Sequence, residues 1–245
     1  MEIIEVQDYE EMSQKAAQII ISKVIHNPEM VIGFATGGTP KGTYRHLIED
    51  HQKNGTSYSR ISSVNLDEYA GLEANSPNSY RYYMNHSLFN HLDINMNQTH
   101  VPNGTAKQLE EECRRYDGLI DELGGVDLQI LGMGVNGHIG FNEPGTSFTS
   151  PTHVVELAES TRKANARYFE SLEDVPTHAV TMGIGTIMKS KHILLLVSGN
   201  EKAEALANLQ KGAVTEEVPA TILNHHPQVT VIADKQALSQ TWTRR

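Results

Sequence analysis

The sequence predicts an α/β fold, a mostly parallel sheet flanked by helices on both faces, in a single domain over residues 1–245. Three observations predict it. Short apolar runs of strand length alternate along the chain with segments of helical pattern, and such alternation calls for a parallel sheet covered by its crossover helices. The chain shows no internal repeat, low-complexity tract or linker. Its 245 residues suffice for one sizeable core.

The elements follow in order. Asp8–Asn27 reads as a helix, with Asp8 and Glu11 in capping-box spacing. Met30–Thr36 (MVIGFAT) reads as a buried strand. Thr39–Asn54 reads as a helix, with Thr39 as cap and Pro40 at the first helical position. Val64–Leu66 is the next strand, and Ser76–His91 repeats the helix pattern from a Ser-Pro start. Thr105–Leu123 is helical and carries the lone cysteine, Cys113, in a charged run that suits a structural role. Strand Leu128–Leu131, helix Ser160–Ser171, strand His192–Val197, helix Asn200–Lys211 and strand Val229–Ala233 complete the set. His225-His226 precedes Pro227 and reads as a turn.

Composition narrows the function. The formal charge is -10, from 30 acidic and 20 basic residues, which opposes a nucleic-acid partner because phosphate backbones demand clustered Lys and Arg. A small phosphorylated ligand stays open, since two or three local cations hold one phosphate whatever the net charge. A single cysteine allows no internal disulfide, so a reducing cytoplasmic setting is expected. The N-terminus lacks an apolar signal core, and no apolar run approaches the ~20 residues of a membrane span.

In parallel sheets, ligands bind beyond the carboxyl ends of the strands. Four such junctions carry chemistry. The first, Thr36-Gly37-Gly38-Thr39-Pro40, follows a strand and opens a helix. Free N–H groups and the helix dipole favour an anion there, and Thr36 and Thr39 add hydroxyls. It is not a P-loop, because Thr43 stands where that motif needs lysine, so a single phosphate suits it better than a nucleoside triphosphate. An ordinary capped glycine loop is the alternative. The second junction places Asp67 and Glu68 just past a strand. They read either as solvated surface acids or as a general base for a carbon acid.

The third junction, Gly132-Met133-Gly134-Val135-Asn136-Gly137, satisfies G-x-G-x-x-G. A dinucleotide fingerprint must open a helix. Here the chain runs on through His138-Ile139-Gly140-Phe141-Asn142-Glu143-Pro144, too rich in Gly and Pro to be helical, although Glu156 lies near the distance expected of a ribose-binding acid. The loop instead offers His138, the side chain that exchanges protons most readily near neutral pH, with Glu143 five residues on to fix its tautomer. The histidines show no metal-ligand spacing, so no metal is expected. The fourth junction, Ser198–Lys202, puts Lys202 in the first turn of a helix, where a cation opposes the dipole and suggests an anionic partner. Arg162, Lys163 and Arg167 lie in STRKANARYF, where one arginine could serve a phosphate or all could form a solvated face.

Taken together these segments resemble the glucosamine-6-phosphate deaminase family. The matching pieces are TGGTP at 36–40, NLDEY at 65–69, GxGxNGHIxFNEP at 132–144, TRxANxRYF at 161–169 and SGxxKAxAL at 198–206, in family order over nearly the whole chain. The resemblance implies a Rossmann-like domain without a dinucleotide. It implies conversion of D-glucosamine 6-phosphate and water to D-fructose 6-phosphate and ammonia, with no cofactor. Asp67 would move a proton from C2 to C1, His138 would open the pyranose ring, and Glu143 would orient and charge His138. Thr36, Gly37, Gly38, Thr39, Arg167 and Lys202 would hold the phosphate, and the segment near 150–180 would act as a lid.

Two departures matter. Asn136 stands where some members carry Asp, so it can orient the histidine but not charge it. Allosteric hexameric members use basic residues just after FNEP and a longer tail; Thr146–Val155 has no Arg or Lys and the chain stops at Arg245. An unregulated enzyme, monomeric or a small homo-oligomer, is therefore expected, with a small sugar phosphate as its partner. The nearest rival is a 6-phosphogluconolactonase-type lactone hydrolase, which lacks the glutamate of FNEP and has Arg rather than Tyr after Asp-Glu. A sugar-phosphate sensor of a transcriptional regulator would need a basic helix-turn-helix segment, which is absent, and the chain begins directly in the domain.

Overall fold

A computed structural model of the chain describes residues 1–166 and 169–241, with the backbone alone at 160, 164 and 165. Strand β1 (Glu2–Val6) leads into helix α1 (Tyr9–His26). The Asp8 carboxylate caps α1 by accepting from the Glu11 N–H at 3.0 Å. Strand β2 (Val31–Phe34), helix α2 (Lys41–Asn54), strands β3 (Ser62–Asn65) and β4 (Asp67–Tyr69) and helix α3 (Tyr80–Ser87) follow. Next come β5 (Thr99–His100), α4 (Leu109–Glu122), β6 (Leu128–Gly132), β7 (His153–Glu156) and α5 (Glu159–Asn165). The chain continues with β8 (His178–Thr181), α6 (Ile184–Ile187), β9 (Ile193–Val197), α7 (Ala203–Lys211) and β10 (Val229–Asp234).

Seven strands form a parallel sheet in the order β1-β10-β9-β6-β2-β3-β5. All five strands expected from the apolar runs lie in it. Their alternate residues feed two cores, one per face, as the two-residue period of a strand requires. Leu194, Leu196, Ile130 and Ile32 join α1, α2 and α3 on one face. Ile193, Leu195, Val197, Leu131 and Val31 join α4, α6 and α7 on the other. Cys113 is buried on α4, where burial first and the nearby Asp117 and Glu110 next push its thiol up to about 11. It is built as a structural residue.

Strands β2, β3 and β5 run outward in one direction from the middle of the sheet, whereas β6, β9 and β10 run in the other. The order therefore reverses between β2 and β6, and a crevice opens at their carboxyl ends. A second, antiparallel sheet β4-β8-β7 stands beside that crevice, pairing Asp67 with Thr181. Tyr69, Phe141, Leu157 and Ala179 bury its face against Tyr80 and Phe169.

Several local expectations shift. Asp67 and Glu68 lie inside a strand rather than on a loop. Helix α2 begins at Lys41, with Pro40 as its cap residue and no side-chain cap, so Thr39 is not a cap. Helix α3 begins at Tyr80 rather than Ser76, capped by Ser79, whose hydroxyl accepts from the Tyr82 N–H at 3.0 Å. The buried Glu68 carboxylate sets that start: it accepts from the Tyr69, Tyr80 and Arg81 N–H groups, each at 2.9 Å. Helix α4 begins at Leu109, four residues past its expected Thr105 start, and Asn200–Lys202 form a 3-10 turn ahead of α7. His225 ends another 3-10 turn, and His226 is buried, its Nε2 2.6 Å from the Ser190 carbonyl.

At the amino end of β9 the buried His192 places Nε2 3.0 Å from Thr230 Oγ1. Burial, then the charge of Lys23 and of His226, hold its imidazole down to about 4. The unfolded chain therefore takes up this proton first as pH falls, and stability drops between about pH 6.5 and 4. By linkage this one site costs about 2 kcal/mol between pH 7 and pH 5. Urea denaturation of the chain and of His192→Gln at both pH values isolates this site, and the variant's stability is expected to change more favourably on going from pH 7 to pH 5, by about 2 kcal/mol.

Candidate active site

The crevice between β2 and β6 holds a cleft of ≈ 370 Å³. Thr36, Gly37, Gly38 and Thr39 line it, together with Asp67, Asn136, His138 and Lys202. Eight of the ten residues singled out from the sequence thus share one cavity. Glu143 sits just behind His138, and Arg167 lies outside the described residues.

The loop at 36–39 leaves β2 and turns at Gly37, whose φ of 89° is open to glycine and strained for other residues. Among the described residues, the N–H groups of Thr36, Gly37, Gly38 and Thr39 donate to no protein group. Lys202 reaches the same cleft from the 3-10 turn after β9. Asp234, at the end of β10, fixes that turn by accepting from Ser198 Oγ at 2.5 Å and from the Gly199 N–H at 3.1 Å. Burial lowers the pKa of Lys202 by penalising its charge, and an anion in the cleft would offset that penalty. Loop and lysine together present the donors and the cation that an anion site needs.

The histidine loop leaves β6 and folds back on itself. The Gly134 N–H donates to the His138 carbonyl at 2.9 Å, and the imidazole packs directly on Gly134. A Cβ built at Gly134 would lie 2.1 Å from the ring, so no larger residue fits there. His138 Nδ1 is 2.8 Å from Asn136 Oδ1 and 3.5 Å from Glu143 Oε2. Asn136 Nδ2 donates to Glu143 Oε2 at 2.7 Å, and Thr161 Oγ1 donates to Glu143 Oε1 at 2.8 Å. A carboxylate only accepts, so the amide must turn its NH2 to Glu143 and its oxygen to the imidazole. Nδ1 then carries a proton, and Nε2 is left for a ligand. Burial raises the pKa of Glu143, but hydrogen bonding and charge from His138, then bonds from Asn136 and Thr161, bring it down to about 2. Glu143 is anionic at any working pH.

Asp67 is buried at the start of β4. Burial first, then the charge of Glu68, push its carboxyl up to about 8. A Cβ built at Gly140 would lie 3.9 Å from Asp67 Oδ2, so the histidine loop passes within contact distance of this carboxyl. A carboxyl that ionises near neutrality and an imidazole with an open nitrogen thus face one cleft beside the amides of the 36–39 loop. That set can move protons on a bound anion.

Two lining residues escaped the sequence reading. Thr161 stands in the basic run, where the cations drew attention away from its hydroxyl. Arg162 and Lys163 do not serve the cleft: Arg162 donates to the Leu172 and Val175 carbonyls at 3.0 and 3.1 Å, and Lys163 pairs with Glu159. Tyr80 lines the cleft while hydrogen-bonded to Thr36 and Tyr69. Only the pairing of α3 with β4 brings it there, so no local signal could have found it. Among the described residues, no group of three or more His, Cys, Asp or Glu is placed to hold a metal, and no helix is long and apolar enough to cross a membrane.

Known proteins share this sequence and fold. The family described as glucosamine-6-phosphate isomerases/6-phosphogluconolactonase matches residues 7–232. A glucosamine-6-phosphate deaminase of Geobacillus sp. (strain WCH70) is 63% identical over 239 residues, 98% of this chain and 95% of that protein. The solved structure of a monomeric glucosamine-6-phosphate deaminase superposes with a TM-score of 0.96 at 55% identity, covering 98% of this chain and 100% of the other. A 6-phosphogluconolactonase from Thermotoga maritima shares the fold, with a TM-score of 0.74 at 20% identity over 96% and 99% of the two chains. The chain belongs to the glucosamine-6-phosphate isomerase/6-phosphogluconolactonase family.

Proposed function

We propose that this chain converts D-glucosamine 6-phosphate and water to D-fructose 6-phosphate and ammonia, with no cofactor. The observation that carries the reading is the buried Asp67 carboxyl facing the same cleft as the His138–Asn136–Glu143 chain and the open amides of the 36–39 loop. The deaminase relatives, similar over nearly the full chain, support it.

In this reading the phosphate sits on the amides of 36–39, with Lys202 and Arg167 as its cations. His138 opens the pyranose ring by taking the C1 hydroxyl proton at Nε2 and then giving that proton to the ring oxygen. Asn136 orients the imidazole and Glu143 supplies the charge that stabilises it when doubly protonated. Asp67 takes the C2 proton, forming an enolamine, and returns it at C1. Water adds to the resulting C2 imine, and ammonia leaves. Such a base must be shielded from solvent, and the segment near 150–180, which brings Thr161 to Glu143, would act as a lid over it. A cytoplasmic setting suits a chain with one buried thiol.

The test is ammonia release from glucosamine 6-phosphate, with coupled detection of fructose 6-phosphate. No turnover, with hydrolysis of 6-phosphogluconolactone instead, would sink the reading. We also propose that no activator is needed, because Thr146–Val155 supplies neither Arg nor Lys; the same assay should give a hyperbolic dependence on substrate. The pH profile is a sharper test. Asp67 must be ionised to act, and kcat/KM reports the free enzyme, so kcat/KM should rise with pH to a limb near 8. The bound substrate's ammonium stabilises the carboxylate, so the limb in kcat should lie lower. A kcat/KM already flat from pH 6 upward would refute this role for Asp67.

A further inference from the structure

The carbonyls at Ala35, Gly37 and Gly38 are held as deliberately as the amides of the 36–39 loop are left open. Tyr44, on α2, donates its hydroxyl to the Ala35 carbonyl at 2.5 Å. Tyr83, on α3, donates to the Gly37 carbonyl at 2.7 Å. Tyr9, at the start of α1, donates to the Gly38 carbonyl at 2.9 Å, and its oxygen also accepts the Gly42 N–H at 2.9 Å. Three helices thus send three phenols to one short loop.

A trans peptide is planar, with its C=O and the following N–H pointing in opposite directions. A carbonyl pinned on one side therefore turns the next amide to the other. Tyr44 sets the Thr36 N–H in this way, Tyr83 sets the Gly38 N–H, and Tyr9 sets the Thr39 N–H. The remaining N–H, that of Gly37, lies at the residue of positive φ. These amides belong to residues that line the cleft, and among the described residues they have no protein partner. Glycine makes the loop able to adopt this form, but equally able to leave it, because Gly37 and Gly38 permit the peptide between them to flip. A flip at that peptide would point the Gly37 carbonyl at an incoming anion.

We infer that Tyr9, Tyr44 and Tyr83 are positioning residues that lock the 36–39 loop in its anion-accepting form and so set the affinity for the phosphate-bearing substrate. The inference rests on the proposed phosphate site, and it adds to that site three residues that never touch the substrate. Tyr44 is fully buried, so its loss also strains the core, whereas Tyr9 and Tyr83 are only partly buried. In Tyr83→Phe the ring that Lys41 overlies is kept, and only the hydroxyl is removed.

The test is steady-state kinetics of the full chain and of Tyr9→Phe, Tyr83→Phe and the double variant, with inorganic phosphate as competitive inhibitor. Losing one neutral hydrogen bond that holds the loop should raise both the KM for glucosamine 6-phosphate and the inhibition constant of phosphate about fivefold. The double variant should show roughly the product of the two effects. In every case kcat should stay within about twofold, because the proton-transfer groups are untouched. If Tyr83→Phe fails to fold, Tyr9→Phe alone decides the matter. Constants within twofold of the unaltered protein, or a fall in kcat with KM unchanged, would overturn the inference while leaving the site intact. An unaltered protein that neither turns over the substrate nor is inhibited by phosphate would overturn the functional reading and the inference with it.

Discussion

Replacing Asp67 by asparagine is expected to remove deamination and, at the same time, to stabilise the fold. The amide is nearly isosteric but cannot accept the C2 proton. General-base catalysis contributes about 10² to 10⁴-fold, so kcat should fall by at least ~10³ when the sole base for this step is lost. Stability moves the other way. Folding carries the Asp67 carboxyl from its ordinary 3.8 to about 8, mainly by burial. Between those values the native state binds a proton that the unfolded chain has released, so stability falls as pH rises through this window. At pH 7 the linkage amounts to roughly 4 kcal/mol as an upper figure, and asparagine escapes it. Thermal and urea denaturation at pH 7 should therefore show the variant to be the more stable protein. Its advantage should shrink as the pH is brought down towards about 3, where Asp67 is mostly protonated in both states. A variant that retains turnover would remove Asp67 from the mechanism. One that is active and less stable would contradict both halves of the argument. The opposed effects are what a functional site held at a cost to stability should show.

Glu143→Gln should cost kcat about 10² to 10³-fold with KM changed by no more than a few-fold. Among the described residues Glu143 makes no hydrogen bond to the loop at 36–39, so binding of the anion should not depend on it. What it supplies is the charge and the direction of one amide. Its carboxylate accepts from Asn136 Nδ2 at 2.7 Å, and that contact turns Asn136 Oδ1 to the imidazole. A neutral glutamine can present its NH2 where the carboxylate accepted, and the Asn136 amide then rotates to meet it. Its NH2 would face Nδ1, which must give up its proton. The imidazole is left in the opposite tautomer with no anion to stabilise its charged form, and it can no longer both donate and accept at Nε2. Steady-state kinetics beside His138→Asn checks this. The two variants should be similarly impaired, and their combination no worse than either, since residues acting as one unit are not additive. Full activity in Glu143→Gln, with His138→Asn inactive, would leave the histidine in place and strike out the chain behind it.

Most of the residues that line the cleft were legible in short stretches of sequence, because each strand-end loop carries its own signature. Two glycines and two threonines ahead of a helix announce an anion site. A histidine held between glycines, with an acid five residues on, announces proton transfer. The helix-breaking run that follows Gly137 is enough to discard the dinucleotide reading. Five of the ten described strands were legible too, as short apolar runs, whereas β1, β4, β5, β7 and β8 lack such a run and were not.

What only the tertiary structure decided is how those loops meet. The period of a strand says which side chains share a face, but not which strand lies next to it. That β6 pairs with β2, almost a hundred residues earlier in the chain, is set by packing over the whole sheet, and this pairing brings His138 to the loop at Thr36. Burial is equally non-local. Asp67 and Glu68 read alike as adjacent acids. The fold puts one against the cleft and spends the other on the N–H groups that begin α3. The starts of α2 and α3, the pairing of β4 with β8 and the bridging amide of Asn136 have the same origin. Each depends on a hydrogen-bond partner that sequence distance hides and that folding alone supplies.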